Sequence, residues 1–355
     1  MQSKTKSALL ASLVAAACLP AAMVAAQAAN PGSALSPAEV QARAAWRQDI
    51  THTETPGAGC YTADYPSILW QRIACKQVVP RVRPLPRHAL QARMGALLAA
   101  GGASQATGNG ADYAIETSSL ITQTVGSFPS VTGVTSETGV GVSAFGGGGI
   151  LGPNEYTLQI NSNFDGTTKA CKNHSGCTVW QQFIYSPDYS VQGEAAVFMQ
   201  YWLIGYGGSS CPSGFGSDGQ GDCYRNSAAA TAPDLPITDL GNFKLTGKVV
   251  SGGNDTVTFA NGSKAYSISA KDSVLYLSKV WKLSEFNVVG NAGGSEAQFN
   301  SGSSVTVKVA VNDNSTATPT CASNAGTTGE TNNLNLGSCK AYGGTTPYIQ
   351  FTESN

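Results

Sequence analysis

Short segments of alternating apolar and polar residues fill positions 111–355, and this pattern restricts the possible fold more than any other feature. Gly, Asn and Pro separate the segments at short intervals. Because strand side chains alternate between two faces, the spacing predicts an all-β protein, a two-sheet antiparallel β-sandwich or jelly roll. A body of this length can bury one large core. The predicted strands cover residues 118–125, 135–142, 155–164, 178–185, 195–206, 243–250, 255–259, 264–269, 283–289, 304–311 and 348–352.

The first 29 residues have the pattern of a secretory signal peptide. Lys4 and Lys6 precede an apolar run from position 8 to 26, which ends in the small-residue sequence Ala-Gln-Ala. No other run approaches the ~20 apolar residues that a membrane helix needs. We therefore expect a secreted, extracellular or periplasmic protein that leaves the membrane after signal removal and is monomeric.

Cysteine usage agrees with export. Eight cysteines follow the signal peptide, and an even number in an exported chain indicates disulfides. They form four sequence-local couples around turns, so we predict nearest-neighbour pairing. No Cys-x-x-Cys occurs and the three histidines are scattered, which argues against a metal site. The predicted pairs are Cys60 with Cys75, Cys171 with Cys177, Cys211 with Cys223, and Cys321 with Cys339.

The charge pattern excludes one class of partner. The net charge is −1, with eight basic residues against five acids over 27–112 and eleven against seventeen over 113–355. Neither part is basic enough for nucleic acid, and no Lys/Arg cluster interleaves with aromatic residues. We expect no nucleic-acid partner.

A few helical segments are also predicted. The sequence Ser-Pro-Ala-Glu at 36–39 combines an N-cap, a first-turn proline and a capping-box acid, so a helix should run to about Arg47. Residues 87–100 have helical spacing. Within the body, residues 271–281 are expected to form a helical turn or two, with Asp272 as a possible N-cap.

A small-residue stretch at 101–110 reads as a linker and places a domain boundary near 103–110. The division is a signal peptide at 1–29, a pro-region or small N-terminal domain with short helices at 30–110, and the β-sandwich at 111–355. One hypothesis makes the front segment a propeptide, so that the protein is a zymogen. Its arginines at 81, 83, 87 and 93 would dock on the acidic body and be released in acid; a permanent small domain is the alternative.

Gln200 is the strongly polar residue in the middle of the apolar run 195–206. Alternation puts it on one strand face with Phe198 and Trp202. Burial of an unpaired amide costs roughly 1–3 kcal/mol, so either a neighbour satisfies Gln200 or it forms the floor of an open cleft.

A second polar side chain, Glu285, lies within another strand-like segment. A strand carboxylate is more often solvent-exposed or ion-paired than functional. Histidine chemistry offers no rival, because His174 is the only histidine after the linker and lies inside a small cysteine loop.

The order of these segments resembles the glutamic peptidases. An aromatic strand at 178–185, the Gln200 strand, a disulfide turn and a late strand with Glu285 follow the arrangement of the eqolisins; in the plant neprosin group a second Glu replaces the Gln. The resemblance implies a concanavalin-like sandwich with Gln200 and Glu285 as the catalytic pair. The chain departs from the eqolisin pattern after Gln200, where Tyr201-Trp202 replaces Thr-Gly, and at Phe286, which replaces Trp.

The mechanism that the resemblance implies is acid hydrolysis of polypeptides without a metal or organic cofactor. Glu285 would deprotonate a water, and the amide of the Gln would stabilise the oxyanion. Substrate-binding residues would be Trp180, Gln182, Phe198 and Trp202. Alternatives from other classes are a carbohydrate-binding, lectin-like module and a non-catalytic secreted β-sandwich protein.

Overall fold

The computed structural model describes residues 35–78, 112–143, 147–207, 210–219 and 221–355. Predictions about the signal peptide, the helix at 87–100, the linker at 101–110 and the four front arginines concern residues outside these ranges. Within them, no helix is long and apolar enough to cross a bilayer.

Helix α1 (Pro37–His52) begins where the capping motif predicts. The Ser36 side chain accepts a hydrogen bond from the Glu39 N–H at 3.2 Å. The helix continues beyond the predicted end because its last turns bury Trp46 and Ile50 against the sandwich. This contact supplies apolar burial that a short isolated helix lacks.

The first large sheet has ten strands. In spatial order these run from β2 to β22, and β23 pairs with β24. The strands are β1 (Gly59–Asp64), β2 (Gln71–Ile73), β5 (Gln123–Thr132), β14 (Lys244–Lys248), β15 (Asn254–Asn261), β16 (Lys264–Lys271), β19 (Ser304–Asn312), β22 (Asn335–Leu336), β23 (Lys340–Tyr342) and β24 (Tyr348–Ser354).

The second large sheet also has ten strands. Its central order is β12-β10-β9-β8-β17-β4, and β13 pairs with both β10 and β3. The strands are β3 (Lys76–Gln77), β4 (Ala114–Glu116), β8 (Tyr156–Ser162), β9 (Thr178–Val191), β10 (Glu194–Ile204), β11 (Gly216–Ser217), β12 (Cys223–Asn226), β13 (Ala228–Pro233), β17 (Leu283–Gly290) and β20 (Thr320–Ala322).

Smaller elements complete the described structure. A four-stranded sheet contains β6 (Glu137–Gly141), β7 (Gly152–Pro153), β18 (Ser295–Phe299) and β21 (Thr331–Asn332). Short 3-10 helices lie at Lys169–Cys171, Ile237–Asn242, Asp272–Val274 and Leu277–Lys279.

The two large sheets pack face to face, which confirms the predicted sandwich. Aromatic rings from both sheets fill the core. Tyr185 of β9 stacks on Phe259 of β15 with ring centroids 4.0 Å apart, and Phe183 stacks on Trp281 at 5.5 Å. These buried rings leave the other face of the second sheet free to carry polar side chains.

All four predicted disulfides are present. The sequence separations of 6 to 18 residues close local loops rather than joining the sheets. Disulfides are typical of exported proteins, so this finding fits the predicted location.

Residues 35–78 are attached to both sheets. Strand β1 pairs along β16 of the first sheet, and β3 pairs with β13 of the second. The Gln123 side-chain amide donates to the Thr51 carbonyl at 2.7 Å, which ties the end of α1 to β5. Removal of the front segment in maturation stays a prediction.

The strand predicted at 118–125 is shifted in the structure. Backbone N–H groups of Thr117, Ile121 and Thr122 donate to loop carbonyls, so pairing begins only at Gln123. Strand β5 then continues through Pro129 because a bulge opposite β19 needs no ladder N–H there.

The helical turn predicted at 271–281 is two short 3-10 helices. Asp272 lies in the first of them and is not its N-cap. Its carboxylate instead accepts hydrogen bonds from the Ser278 N–H at 3.1 Å and hydroxyl at 2.9 Å. Strands β4, β12, β13 and β18 were not predicted, since they are short and lack clear alternation.

Two glycines of the first sheet make room for rings of the second. A Cβ on Gly126 would lie 2.2 Å from the Phe286 ring, and one on Gly247 would lie 2.7 Å from the Phe183 ring. Phe286 and Phe183 directly adjoin Glu285 and Gln182 in sequence. Close approach of the sheets at these glycines therefore positions the strands that carry the polar residues.

We expect Gly126→Ala to lower the free energy of unfolding by about 1–3 kcal/mol, because the added methyl group overlaps the buried Phe286 ring. Chemical denaturation measures the change. Gly57→Ala is the matched control, since no atom lies within 4 Å of its added Cβ. Equal losses in the two variants would contradict the steric explanation.

Candidate active site

The distal face is defined as the face of the second sheet turned away from the first, on strands β12, β10, β9, β8 and β17. One row of aligned residues crosses it, with Glu285 opposite Asn161, Asn161 opposite Gln182, Gln182 opposite Gln200, and Gln200 opposite Asn226. One carboxyl and four amide side chains thus stand on one line. Glu285 and three of the amides belong to strands predicted from sequence.

Glu285 is 1% exposed. Its Oε2 accepts hydrogen bonds from the Thr327 N–H and hydroxyl, both at 2.7 Å, and from the Asn161 amide at 3.2 Å. The Trp180 indole donates to the same Thr327 hydroxyl at 3.2 Å, which orients it. The other oxygen, Oε1, makes no hydrogen bond with the described residues. One carboxylate oxygen is anchored and the second is free to react.

Two opposing effects act on this carboxyl. Burial raises the pKa of Glu285, and the hydrogen bonds from Thr327 and Asn161 lower it by favouring the ionised form. A second buried carboxyl, Asp112, is coupled to the first. Burial and the charges of Glu285 and Glu353 raise the pKa of Asp112 well above its usual range. Asp112 is therefore protonated at the pH where an acid-active site would work.

Gln159 and Gln182 connect the row sideways. The Gln182 amide donates to the Gln159 carbonyl at 3.0 Å and to the Asn161 carbonyl at 3.1 Å. The Gln159 amide donates to the Thr157 hydroxyl at 3.0 Å. Each amide orients its neighbour, and all three amide residues are at least 96% buried.

Gln159 was missed in the sequence analysis. It lies on β8, directly beside the strand of Glu285, and is two residues from Asn161, the aligned partner of Glu285. The available signal was the alternation of Thr157, Gln159 and Asn161 within an otherwise apolar strand. Three polar residues on one face of a buried strand indicate a second polar surface.

Gln200 has its partners within the sheet. Its amide donates to the Asn226 carbonyl at 2.8 Å, and its carbonyl accepts from the Trp202 indole at 2.8 Å. Neighbouring side chains therefore satisfy it, which was the first of the two predicted possibilities.

Gln200 and Glu285 share the distal face but not a contact. Strands β9 and β8 stand between β10 and β17, and strands are ~4.8 Å apart, so their backbones are separated by about 14 Å. One water cannot bridge that distance. The structure does not bring the predicted pair together, because the two intervening strands hold Asn161 and Gln182 between them.

The predicted aromatic residues lie on the same face. Trp180 and Trp202 have ring centroids 6.2 Å apart, and Trp202 is 5.4 Å from Tyr224. This line of rings runs beside the polar row. Phe198 is fully buried, 4.8 Å from the Tyr189 ring, in an apolar cluster that includes Val78. Its role in the described structure is packing.

A carboxyl pair lies two residues along β17 from Glu285. The Asn287 amide donates to Asp112 at 2.8 Å and to Glu353 at 3.2 Å. The Asn332 amide donates to the other oxygen of Glu353 at 3.3 Å. Burial raises the pKa of Glu353 to about 8, although both amides oppose the shift. Among the described residues, no group of three or more His, Cys, Asp and Glu is arranged to hold a metal ion.

Comparison with known proteins gives distant structural likenesses only. No protein-family model matches the chain, and no curated protein matches it. Scytalido-glutamic peptidase with a transition-state analogue inhibitor shares 15% identity over 67% of this chain and 95% of its own, with a TM-score of 0.24. The eqolisin-family peptidase SCP-B, in complex with a tripeptide, shares 14% identity over 67% and 94%, with a TM-score of 0.25.

A carbohydrate-active enzyme is among the same likenesses. The κ-carrageenase from Pseudoalteromonas carrageenovora, in complex with an oligotetrasaccharide of κ-carrageenan, shares 8% identity over 68% of this chain and 67% of its own, with a TM-score of 0.25. Relationship to any of the three proteins is distant at most. At these scores the likenesses establish neither a family nor an activity.

Proposed function

We propose that this protein hydrolyses peptide bonds as an acid peptidase of the glutamic type, with Glu285 as the general base. The observation that carries the proposal is the Glu285 carboxyl. It is buried, anchored at Oε2 by three hydrogen bonds, unbonded at Oε1 and surrounded by amide side chains. Such an arrangement suits a base that must both take and return a proton.

The proposed cycle begins with a water at Oε1 of Glu285. As the water oxygen bonds to the peptide carbonyl carbon, its proton moves to Oε1 and the carbonyl oxygen gains the negative charge. Glu285 then gives the proton to the peptide nitrogen, the carbon–nitrogen bond breaks, and the carboxylate is restored. The residue is unchanged after one turnover, and both atoms and charge balance.

Gln159 is the best-placed amide to stabilise the oxyanion. It is the diagonal neighbour of Glu285 on the adjoining strand, and diagonal cross-strand residues are roughly 7–8 Å apart, a distance that side chains and one bound group can span. The Gln159 amide nitrogen has two hydrogens, and Thr157 accepts one of them. The other is free for the developing charge.

Thr327 and Asn161 are positioning residues in this proposal. Their bonds to Oε2 orient the carboxyl so that Oε1 reacts. Because Glu285 is almost fully covered and Thr327 contacts it directly, the segment around Thr327 must move before substrate can bind. An extended peptide would then lie along the row, with its side chains against Trp180 and Trp202.

The line of aromatic rings beside amides also favours a second candidate, carbohydrate binding, since sugars stack on Trp and Tyr and hydrogen-bond to amides. A denatured-protein digestion assay at about pH 4, near the reference pKa of Glu, and a glycan array on the same sample separate the two. Hydrolysis without glycan binding supports the peptidase; glycan binding without hydrolysis contradicts it.

Removal of the Gln159 amide tests the revised assignment. We expect Gln159→Leu to lower kcat about 10²–10³-fold, the usual cost of losing an oxyanion donor. Gln200→Leu is the matched control, because it removes the same group from the same face, and it should lower kcat less than tenfold. Both need circular dichroism to confirm folding. A larger loss in Gln200→Leu would restore the pair predicted from sequence.

A further inference from the structure

A cavity of about 510 Å³ lies between α1 and the outer face of the first sheet. Helix residues including Arg47 and Gln48 form one wall, and Thr345 and Thr346 of the loop before β24 belong to another. Strands β5, β14 and β19 contribute the rest. The cavity is thus on the opposite side of the sandwich from the candidate active site, and no role proposed above uses it.

Three cationic side chains line this cavity. Arg47 comes from α1, Lys244 from β14 and Lys308 from β19. Lys244 and Lys308 both align with Ser127 of β5, so they flank it at about 10 Å from each other, two strand spacings. His52 is a further lining residue, and no Asp or Glu is among the described residues that line it.

The hydrogen bonds of the cations leave capacity for a ligand. Arg47 is 7% exposed and donates through Nη1 to the Gly262 carbonyl at 2.9 Å, but its Nε has no hydrogen-bond partner among the described residues. Lys244 donates to the Gln48 side chain at 2.9 Å. The Lys308 ammonium lies 3.8 Å from the centre of the Tyr348 ring. Neutral groups are the partners shown here, so the positive charges repel one another.

This repulsion is visible in the lysines. Burial and the charges of Arg47 and Lys308 lower the pKa of Lys244 to about 8, and burial lowers the pKa of Lys308. A buried nitrogen donor without a partner, next to two destabilised ammonium groups, requires an anion for full satisfaction.

We propose that this cavity binds a tetrahedral oxyanion, the phosphate or sulfate group of a small ester, between Arg47, Lys244 and Lys308. The guanidinium Nε and the two ammonium groups supply donors for three oxygens. Phe128, Pro129 and Phe243 line the same cavity and provide an apolar surface for the carbon part of the ester. The volume is typical of small-molecule sites.

Anion affinity should fall as pH rises past about 8, because Lys244 then loses its charge. The other charged or titratable groups that line the cavity are Arg47, His52 and Lys308, and Arg47 stays protonated throughout. Binding is therefore expected to weaken above this pH without vanishing.

Isothermal titration of protein that retains residues 35–78 tests the site. The probes are inorganic phosphate, inorganic sulfate, phenyl phosphate and phenyl sulfate. We expect saturable binding with the aryl esters tighter than the free ions, and at least tenfold weaker binding in both Lys244→Gln and Lys308→Gln. Tighter binding of the free ions would overturn the ester assignment.

Lys172→Gln removes one exposed lysine far along the chain from the cavity and should bind like the unaltered protein. Ligand should also raise the Tm of the unaltered protein more than that of either cavity variant. No saturable binding of any probe, or equal binding in all three variants, would overturn the proposal. Peptidase activity does not enter the measurement, so this inference is independent of the proposed function.

Discussion

Glu285→Gln protein will lose peptide hydrolysis, with kcat lowered about 10³-fold or more, within the range for removal of a general base. The amide is nearly the same size as the carboxyl, and its carbonyl oxygen can still accept from Thr327 and Asn161 as Oε2 does. It cannot accept the proton of the attacking water. The fold should persist, because burial of a neutral amide costs less than burial of a charge.

The measurement is digestion of a denatured protein, combined with thermal unfolding of both proteins. Glu116→Gln is the matched control, since it makes the same chemical change at an exposed position on β4. Activity of the unaltered enzyme should rise as Glu285 ionises, at a pH above the reference value of 4.5, because burial raises its pKa. A Glu285→Gln protein that still digests protein at an unchanged rate would contradict the proposed function.

Stability should be greatest in acid and should decline from about pH 4.5 to about pH 8. The pKa of Glu353 is raised from 4.5 to about 8, so the folded state holds this proton more tightly than the unfolded chain does. Below pH 4.5 both states are protonated and the stability is complete. Above it the unfolded state releases the proton first, so unfolding becomes easier until the folded carboxyl also ionises.

The expected effect is large. A tenfold difference in proton affinity corresponds to about 1.4 kcal/mol, so Glu353 alone accounts for several kcal/mol across this pH range. Glu137, at 2% exposed, acts in the same direction, since burial first and the charge of Glu155 second raise its pKa to about 8. Denaturant unfolding at a series of pH values measures the slope.

Glu353→Gln should flatten this pH dependence, because an amide does not titrate, while Glu116→Gln should leave it unchanged. Burial in an amide-lined pocket, where Asn287 and Asn332 donate to the carboxyl, suits the neutral side chain. Stability that increases from pH 4.5 to 8, or an equal slope in the two variants, would exclude the buried carboxyl as the cause.

Local sequence determined much of this molecule. The Ser36 cap began the helix, nearest-neighbour cysteines paired, and alternation put Glu285 and Asn287 on one face of β17 and Gln200 on one face of β10. These features depend on dihedral preferences, short loop closure and the two-residue period of a strand. All act over a few residues, so they are readable without knowledge of the rest of the chain.

Only the tertiary structure decided which polar residues meet. Strand order put β8 beside β17, so Glu285 has Asn161 and Gln159 as neighbours and Gln200 is three strands away. Thr327 reaches the same carboxyl from a distant loop. Alternation specifies a face but not the neighbouring strand, because strand neighbours depend on the packing of the whole chain around one core.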